Sequence, residues 1–341
     1  MGKKIKCVVW DLDNTVWDGI LSEDKDVVLK ENVLKVIKTL DERGILQSIS
    51  SKNDYEPAMD KLKEFNIDEY FIYPQINWNS KSQAVRNIAK SINIGIDTVA
   101  FIDDQEFERE EVNFNIKEVL CIDAADVDKV LEMDEMNPEH ITSDSKNRRK
   151  LYQNDIVRNK IQEEFTGTEE EFLSSLGLEF TIGKVQKDDL ARAEELTVRT
   201  HQLNATGYTY SYEELDSFSN DPNYDVLIAG LRDKYGDYGK IGLALVEKGS
   251  KVWTLKLLLM SCRVMSRGVG TVMLNYVVKK AHDAGAVLRA EFVPTDRNRV
   301  MYITYKFAGF KEVEKNDDVV TLESNFKYYR GIPNYIKLIE G

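Results

Sequence analysis

Five short apolar runs in the first 130 residues, each followed by a segment with helical period, constrain this chain more than any other feature. Short apolar runs alternating with helical segments are the pattern of a parallel sheet covered by helices, so that is the sheet predicted here. The predicted strands cover residues 5–10, 45–50, 70–73, 99–102 and 118–122. Val33, Val36, Ile37 and Leu40 give one intervening helix an apolar face, and Gly44 ends it. Three of the strands finish in reactive residues: Asp11-Leu12-Asp13, Ser51-Lys52-Asn53 and Asp103-Asp104. Carboxyl ends of parallel strands are where an open α/β sheet forms its ligand crevice.

A second strand-and-helix pattern starts near residue 178 and continues through strands near 226–231, 241–247, 251–260 and 287–293. Helices are expected near 188–199, from Gly268, and over 298–307. Between the two patterns, residues 134–150 are polar and charge-rich, contain Pro138 and end in Arg148-Arg149-Lys150. The reading is a first domain over 1–137, a linker and helix over 138–176, and a second domain over 177–341. With 341 residues and 42% hydrophobic residues, two globular domains are affordable.

Lys and Arg number 46 against 59 Asp and Glu, a net charge of −13. That sign opposes binding to nucleic acid, which gains affinity by neutralising phosphates. The most apolar stretch, 252–260, is too short to cross a bilayer, and Asp11 interrupts the apolar start too early for a signal-peptide core. The expectation is a soluble, cytoplasmic protein with neither nucleic-acid nor membrane partners. Cys7, Cys121 and Cys262 are too few and too widely spaced for a disulfide framework or a zinc site.

In Asp11-Leu12-Asp13-Asn14-Thr15 alternate residues of an extended segment point the same way, so both carboxylates can face one crevice. One could attack phosphorus while the other protonates the leaving oxygen and later activates water. This arrangement resembles the haloacid dehalogenase (HAD) superfamily of phosphatases, and further motifs follow in order. The resemblance makes Ser51 and Asn14 phosphate-binding residues, Lys81 the lysine that steadies the phosphoryl group, and Asp103 and Asp104 partners of Asp11 and Asp13 in a Mg²⁺ site. All-oxygen ligands suit that ion. The spacing leaves no room for a cap domain after Asp11 or Ser51, so something large is expected to cover the crevice.

Cys262 to Thr271 follows a predicted strand and opens a helix, with Arg267-Gly268-Val269-Gly270 at the helix start. Free N–H groups there suit a phosphate or pyrophosphate, and the segment resembles the coenzyme A loop of GNAT-type acyltransferases. Asn298 to Phe310 resembles the second half of that fold. The predicted class is therefore α/β: a Rossmann-like capless HAD domain followed by a GNAT-like acyltransferase domain.

A closer resemblance rests on Leu258 to Val269, Arg199 to Asn204, Gly236 to Gly239, Phe292 to Thr295, Asp11 to Gly19 and Phe101 to Glu110. Together these look like the FkbH-like family. Membership would imply transfer of the glyceryl unit of 1,3-bisphosphoglycerate to the phosphopantetheine thiol of an acyl carrier protein, with removal of the remaining phosphate, in polyketide-type pathways. Cys262 would hold the glyceryl group as a thioester. His201 would be a base, an orienting group or a packed histidine; Gln202 and Asn204 would bind the glyceryl unit, polarise the thioester carbonyl or cap the next turn. Arg263 and Arg267, then Arg148 and Arg149, would form the basic patch that docks an acidic carrier. Gly268 and Gly270 would complete the carrier-binding loop. The competing readings are a HAD phosphatase fused to a conventional coenzyme A-dependent N-acyltransferase, and a carrier-binding adaptor with a dead acyl site.

Overall fold

The structure, a computed structural model, describes residues 4–341 apart from the side chain of Ser266. Met1, with Gly2 and Lys3 of the basic start, lies outside that description. The chain divides into two compact units, Met1–Gln153 and Asn154–Gly341.

In the first unit β1 (Cys7–Trp10), α1 (Glu31–Glu42), β2 (Leu46–Ser51), α2 (Tyr55–Glu64), β3 (Gln75–Ile76), α3 (Lys81–Ile92), β4 (Val99–Asp103), α4 (Glu106–Asn115) and β5 (Leu120–Asp123) follow in order. The sheet runs β3-β2-β1-β4-β5, with every pairing parallel. β1 is wholly buried, as a strand covered on both faces must be. α1 buries Val33, Val36, Ile37 and Leu40, and Gly44 behind it takes the left-handed conformation at φ +70. One strand departs from expectation. The apolar run at 70–73 contributes only an isolated bridge from Phe71 to Gln47, because Tyr73 turns the backbone left-handed at φ 51 and the pairing passes to Gln75–Ile76. Between β1 and α1 the chain adds only an antiparallel ribbon of Trp17–Asp18 and Val28–Leu29, so no cap domain is inserted there.

The division between units falls inside α5 (Arg148–Glu164). Then come α6 (Glu169–Leu176), β6 (Leu178–Lys184), α7 (Leu190–Arg199), α8 (Tyr212–Asn220), β7 (Tyr224–Asp233), β8 (Gly236–Lys248) and β9 (Val252–Met260). The chain continues through α9 (Gly270–Asp283), β10 (Val287–Phe292), α10 (Arg299–Phe307), β11 (Lys311–Asn316), β12 (Val319–Glu323) and β13 (Ile336–Glu340). The eight strands form one mixed sheet in the order β11-β12-β10-β9-β8-β7-β6-β13. β9 and β10 are parallel neighbours, joined through α9. Clusters of buried side chains, centred on Phe180, Leu258 and Met273 and on Leu190, Leu243 and Leu257, fill the second unit.

A buried ion network underlies the second unit. Arg158, with no exposed side-chain surface, donates from Nε to Asp233 Oδ2 at 2.9 Å, from Nη2 to Asp233 Oδ1 at 2.9 Å and from Nη1 to Asp155 Oδ1 at 2.9 Å. Its guanidinium lies 3.8 Å from the Tyr238 ring, whose hydroxyl donates to the same Asp233. Burial raises the Asp155 carboxyl above its ordinary range, against the pull of Arg263 and Arg158. Removing the cation strands two carboxylates away from water. Arg158→Ala is therefore expected to destabilise the second unit by about 3–5 kcal/mol, read as a fall in the urea midpoint of its unfolding.

Candidate active sites

In the first unit the strand ends bring the reactive residues together as parallel-sheet geometry requires. Asp11 follows β1, and its N–H donates to Ile102 O at 2.9 Å, which ties it to the end of β4. Lys81 is the first residue of α3, behind the capping hydroxyl of Ser80. Its buried ammonium bonds the Asp11 carboxylate and donates to Ser50 O at 2.6 Å, and it lies 3.1 Å from Asp103 Oδ2. Asp11, Asp103 and Asp104 each offer an oxygen within 4.8 Å of the others. One ammonium against three carboxylates leaves a negative surplus, and the donors are all hard oxygens, so the cluster fits a Mg²⁺ ion.

Burial pushes the Asp11 carboxyl up to about 6, while Lys81 pulls it down and Asp103 pushes it further up. Burial likewise raises Asp103 and Asp104. Burial alone would lower Lys81, but Asp11 and Asp103 hold it above its ordinary value, so it stays charged.

Asp13 stays outside the three-carboxylate group. Its Oδ1 accepts from Trp17 Nε1 at 2.8 Å and from Leu21 N at 3.0 Å, and its Oδ2 accepts from Asn53 Nδ2 at 2.9 Å. The same Asn53 amide reaches Ser51 Oγ at 3.1 Å, so the expected acid/base residue and the expected phosphate-binding hydroxyl share one buried partner. Thr15 Oγ1 accepts from Asp104 N at 3.0 Å and fixes the second metal-side carboxylate. Asn53 and Thr15 both stand in motifs visible in the sequence, which by itself gives neither of them a role. Asn53 stands two residues beyond Ser51, where the chain bends after the strand, and the Asn53–Ser51 bond brings the two side chains together.

Asn14 is engaged in the loop that follows Asp11. Its backbone is left-handed at φ 53, its Oδ1 accepts from Gly19 N at 3.1 Å, and Lys30 Nζ bonds its carbonyl. These bonds close the loop that follows Asp11. Gly19 is required there: its φ is +105, and a Cβ would stand 2.8 Å from Asp24 Oδ2.

In the second unit Cys262 sits just past the end of β9, at the start of a 3₁₀ segment Cys262–Arg267. The thiol is half-buried and points to Gln202 Oε1 at 4.0 Å. Burial raises the Cys7 and Cys121 thiols, Cys121 to about 11, which favours their protonated form. His201 lies in the exposed turn before Gln202.

The strand beside the thiol is unusual. β9 and β10 pair only from Val252–Val287 to Leu255–Ala290, although β9 runs on to Met260. Residues 203–205 fill the gap that opens: Ala205 N donates to Leu258 O at 3.0 Å, Met260 N to Leu203 O at 3.0 Å, and Val293 N to Ala205 O at 3.1 Å. Asn298, fully buried, holds this insert through Nδ2, donating to Asn204 O at 3.0 Å and Val293 O at 2.9 Å.

Asn204 itself takes the turn-capping alternative. Its Oδ1 accepts from Thr206 N at 3.1 Å and Gly207 N at 2.9 Å, and its Nδ2 donates to Tyr208 O at 3.1 Å. The side chain is thereby buried, with its amide oxygen and nitrogen both engaged in the turn.

The expected basic patch needs correction. Arg267 is 1% exposed and donates to Gln162 Oε1 at 2.7 Å and Asn159 Oδ1 at 2.8 Å, so it anchors the thiol segment to α5 and presents no charge to solvent. Arg263 is half-buried and donates to Tyr238 O at 2.7 Å. Arg148 and Arg149 are buried as well, on Gly44 O and on Asp41 with Glu69. Gly268 is left-handed at φ +65, with Tyr335 Oη 2.5 Å from where a Cβ would stand. Gly270 opens α9 and is exposed, with nothing within 4 Å of a Cβ.

No protein-family model and no curated protein matches the chain. Solved structures of two kinds match parts of the chain. The N-terminal, phosphatase-containing part of a Bacteroides fragilis protein, solved with Mg, is 27% identical over 40% of this chain and 41% of its own length, with a TM-score of 0.34. The ribosomal-protein-S18-alanine N-acetyltransferase of Escherichia coli is 16% identical over 42% of this chain and 92% of its own, with a TM-score of 0.34. The PaiA N-acetyltransferase of Thermoplasma acidophilum, solved with coenzyme A, is 17% identical over 43% and 98%, with a TM-score of 0.32. The strand orders themselves define the class: it is α/β, an all-parallel five-stranded unit followed by a mixed eight-stranded one. Among the described residues no helix is long and apolar enough to cross a membrane.

Proposed function

We propose that this chain loads a glyceryl unit from 1,3-bisphosphoglycerate onto the phosphopantetheine thiol of an acyl carrier protein, as the FkbH-like resemblance implies. The observation that carries the reading is the Cys262 thiol at the end of β9, within reach of the Gln202 amide. The thiolate attacks the acyl-phosphate carbonyl carbon, the C–S bond forms, and the C–O bond to phosphate breaks with its electron pair leaving on inorganic phosphate. Phosphoglyceryl thioester remains on Cys262. The pantetheine thiolate then attacks the same carbonyl, and the Cys262 thiolate leaves.

The terminal phosphate falls to the first unit. There Asp11 attacks phosphorus, Lys81 and Ser51 hold the phosphoryl oxygens, and Asp13, steadied by Trp17 and Asn53, protonates the leaving glyceryl oxygen and later takes a proton from water. Mg²⁺ held by Asp11, Asp103 and Asp104 would neutralise charge on the phosphoryl group. Residues 203–205 already bond Leu258 and Met260 along the edge of β9, so the pantetheine arm would reach the thiol without adding there as an extra strand.

Intact-mass measurement after incubation with 1,3-bisphosphoglycerate, with no carrier present, tests this. A stable increment on the Cys262 peptide is expected; no increment together with direct acetyl transfer from acetyl-coenzyme A to an amine would replace the reading with the conventional acyltransferase. Chelating Mg²⁺ with EDTA should stop phosphate release from the terminal position while the Cys262 increment still forms, and added Mg²⁺ should restore release.

A further inference from the structure

The net charge of −13 opposes approach by an acidic carrier, and the arginines first expected to overcome it are mostly buried in structural bonds. A different surface has the required character. On α10, Val300, Ile303 and Phe307 are 43%, 40% and 75% exposed, and their spacing places them on one face of the helix. Met301 and Tyr305 on the opposite face are buried. Exposed Arg299 and Lys306 flank the apolar ridge, and no acidic residue occurs from Asn298 to Phe310.

Cations continue past the helix end. A Cβ on Gly309 would stand 2.5 Å from Tyr328 Cβ, which brings the turn carrying exposed Lys327, Tyr328 and Arg330 against that end of α10. The neighbouring β11 offsets its Glu312 and Glu314 with Lys311 and Lys315, and Tyr302 bonds Glu312. At its other end the helix reaches the thiol site: Asn298, immediately before it, holds Asn204 O, and Gln202 two residues earlier lies at the Cys262 sulfur.

Resting on the proposed loading function, we infer that α10 and the 325–330 turn form the docking surface for the holo acyl carrier protein. An acidic helix with an apolar tip would seat on the ridge, its carboxylates facing Arg299, Lys306, Lys327 and Arg330, while its prosthetic arm passes the Asn298 end towards Cys262. Charge complementarity selects this occupant in a chain that is otherwise strongly acidic.

The test uses a holo acyl carrier protein of fatty acid synthesis as probe, with the full chain, Arg299→Glu/Lys306→Glu, and Phe307→Ser. Carrier affinity is measured by calorimetry at two salt concentrations; adduct formation on Cys262 and transfer from it to free pantetheine are measured separately. Expected are at least tenfold weaker carrier binding by the double variant, with its salt dependence diminished, and weaker binding by Phe307→Ser, while adduct formation and transfer to pantetheine stay at the parent level. Parent-level carrier binding by both variants, or no carrier binding by the parent, overturns the docking surface. The two ideas fail separately: a parent that forms no adduct yet binds carrier through α10 loses the loading reading and keeps the surface, whereas an adduct with carrier binding indifferent to α10 does the reverse.

Discussion

Cys262→Ala is expected to abolish both the covalent glyceryl adduct and carrier loading, while Mg²⁺-dependent phosphate release by the first unit continues. The methyl group has no electron pair with which to attack the acyl phosphate, so the effect is loss of the step rather than its slowing. Stability should change little, on the order of 1 kcal/mol, because the sulfur is only half-buried. Cys7→Ala and Cys121→Ala should keep adduct formation, since those thiols stay protonated within the first unit. Mass spectrometry of each variant with 1,3-bisphosphoglycerate reads all three, and full carrier loading by the Cys262 variant would remove the thiol from the mechanism.

Asp11→Asn should remove phosphate release from the terminal position by a factor of at least about 10³, the scale seen when a nucleophile is deleted. A neutral amide cannot attack phosphorus, and it also weakens the partner of Lys81 and one corner of the carboxylate cluster. The fold should persist. Asp11 lies in a cluster of like charges, so losing one charge offsets part of the lost ion pair. Phosphate release assayed with Mg²⁺ in excess, beside a thermal melt of the same sample, separates a chemical defect from a folding one. Retention of release would exclude Asp11 as nucleophile.

The first unit was legible because most of its strands are short, largely apolar runs and its reactive residues stand at strand ends, both local properties. The run at 70–73 misled for a local reason too: its apolar side chains are buried, but the backbone at Tyr73 turns away from the sheet. The second unit hid more. β11 is exposed along its length and carries the charged sequence Lys311 to Asn316, with no apolar alternation to mark a strand. Arg267 and Arg149 read as surface charge because sequence gives the charge and not the partners, Gln162 and Asn159 for one, Asp41 and Glu69 for the other. Asn298 joins residues 94 positions apart, a link that no spacing within a motif reveals.

The helix α5 bears on how such a gene could be cut or joined. Its first turn supplies Arg148 and Arg149 to the first unit, and its later turns supply Arg158, with Asn159 and Gln162 beneath the thiol segment. Severing the chain near Pro138 would give the second piece a whole helix and strip the first of both arginine clamps; severing it after Glu164 would do the opposite. A break between Arg149 and Asp155 leaves each piece its own anchors only by cutting α5 itself, so neither piece keeps the whole helix. Separated halves should therefore express with one partner impaired, and recombining this gene with others is simplest when both units travel together.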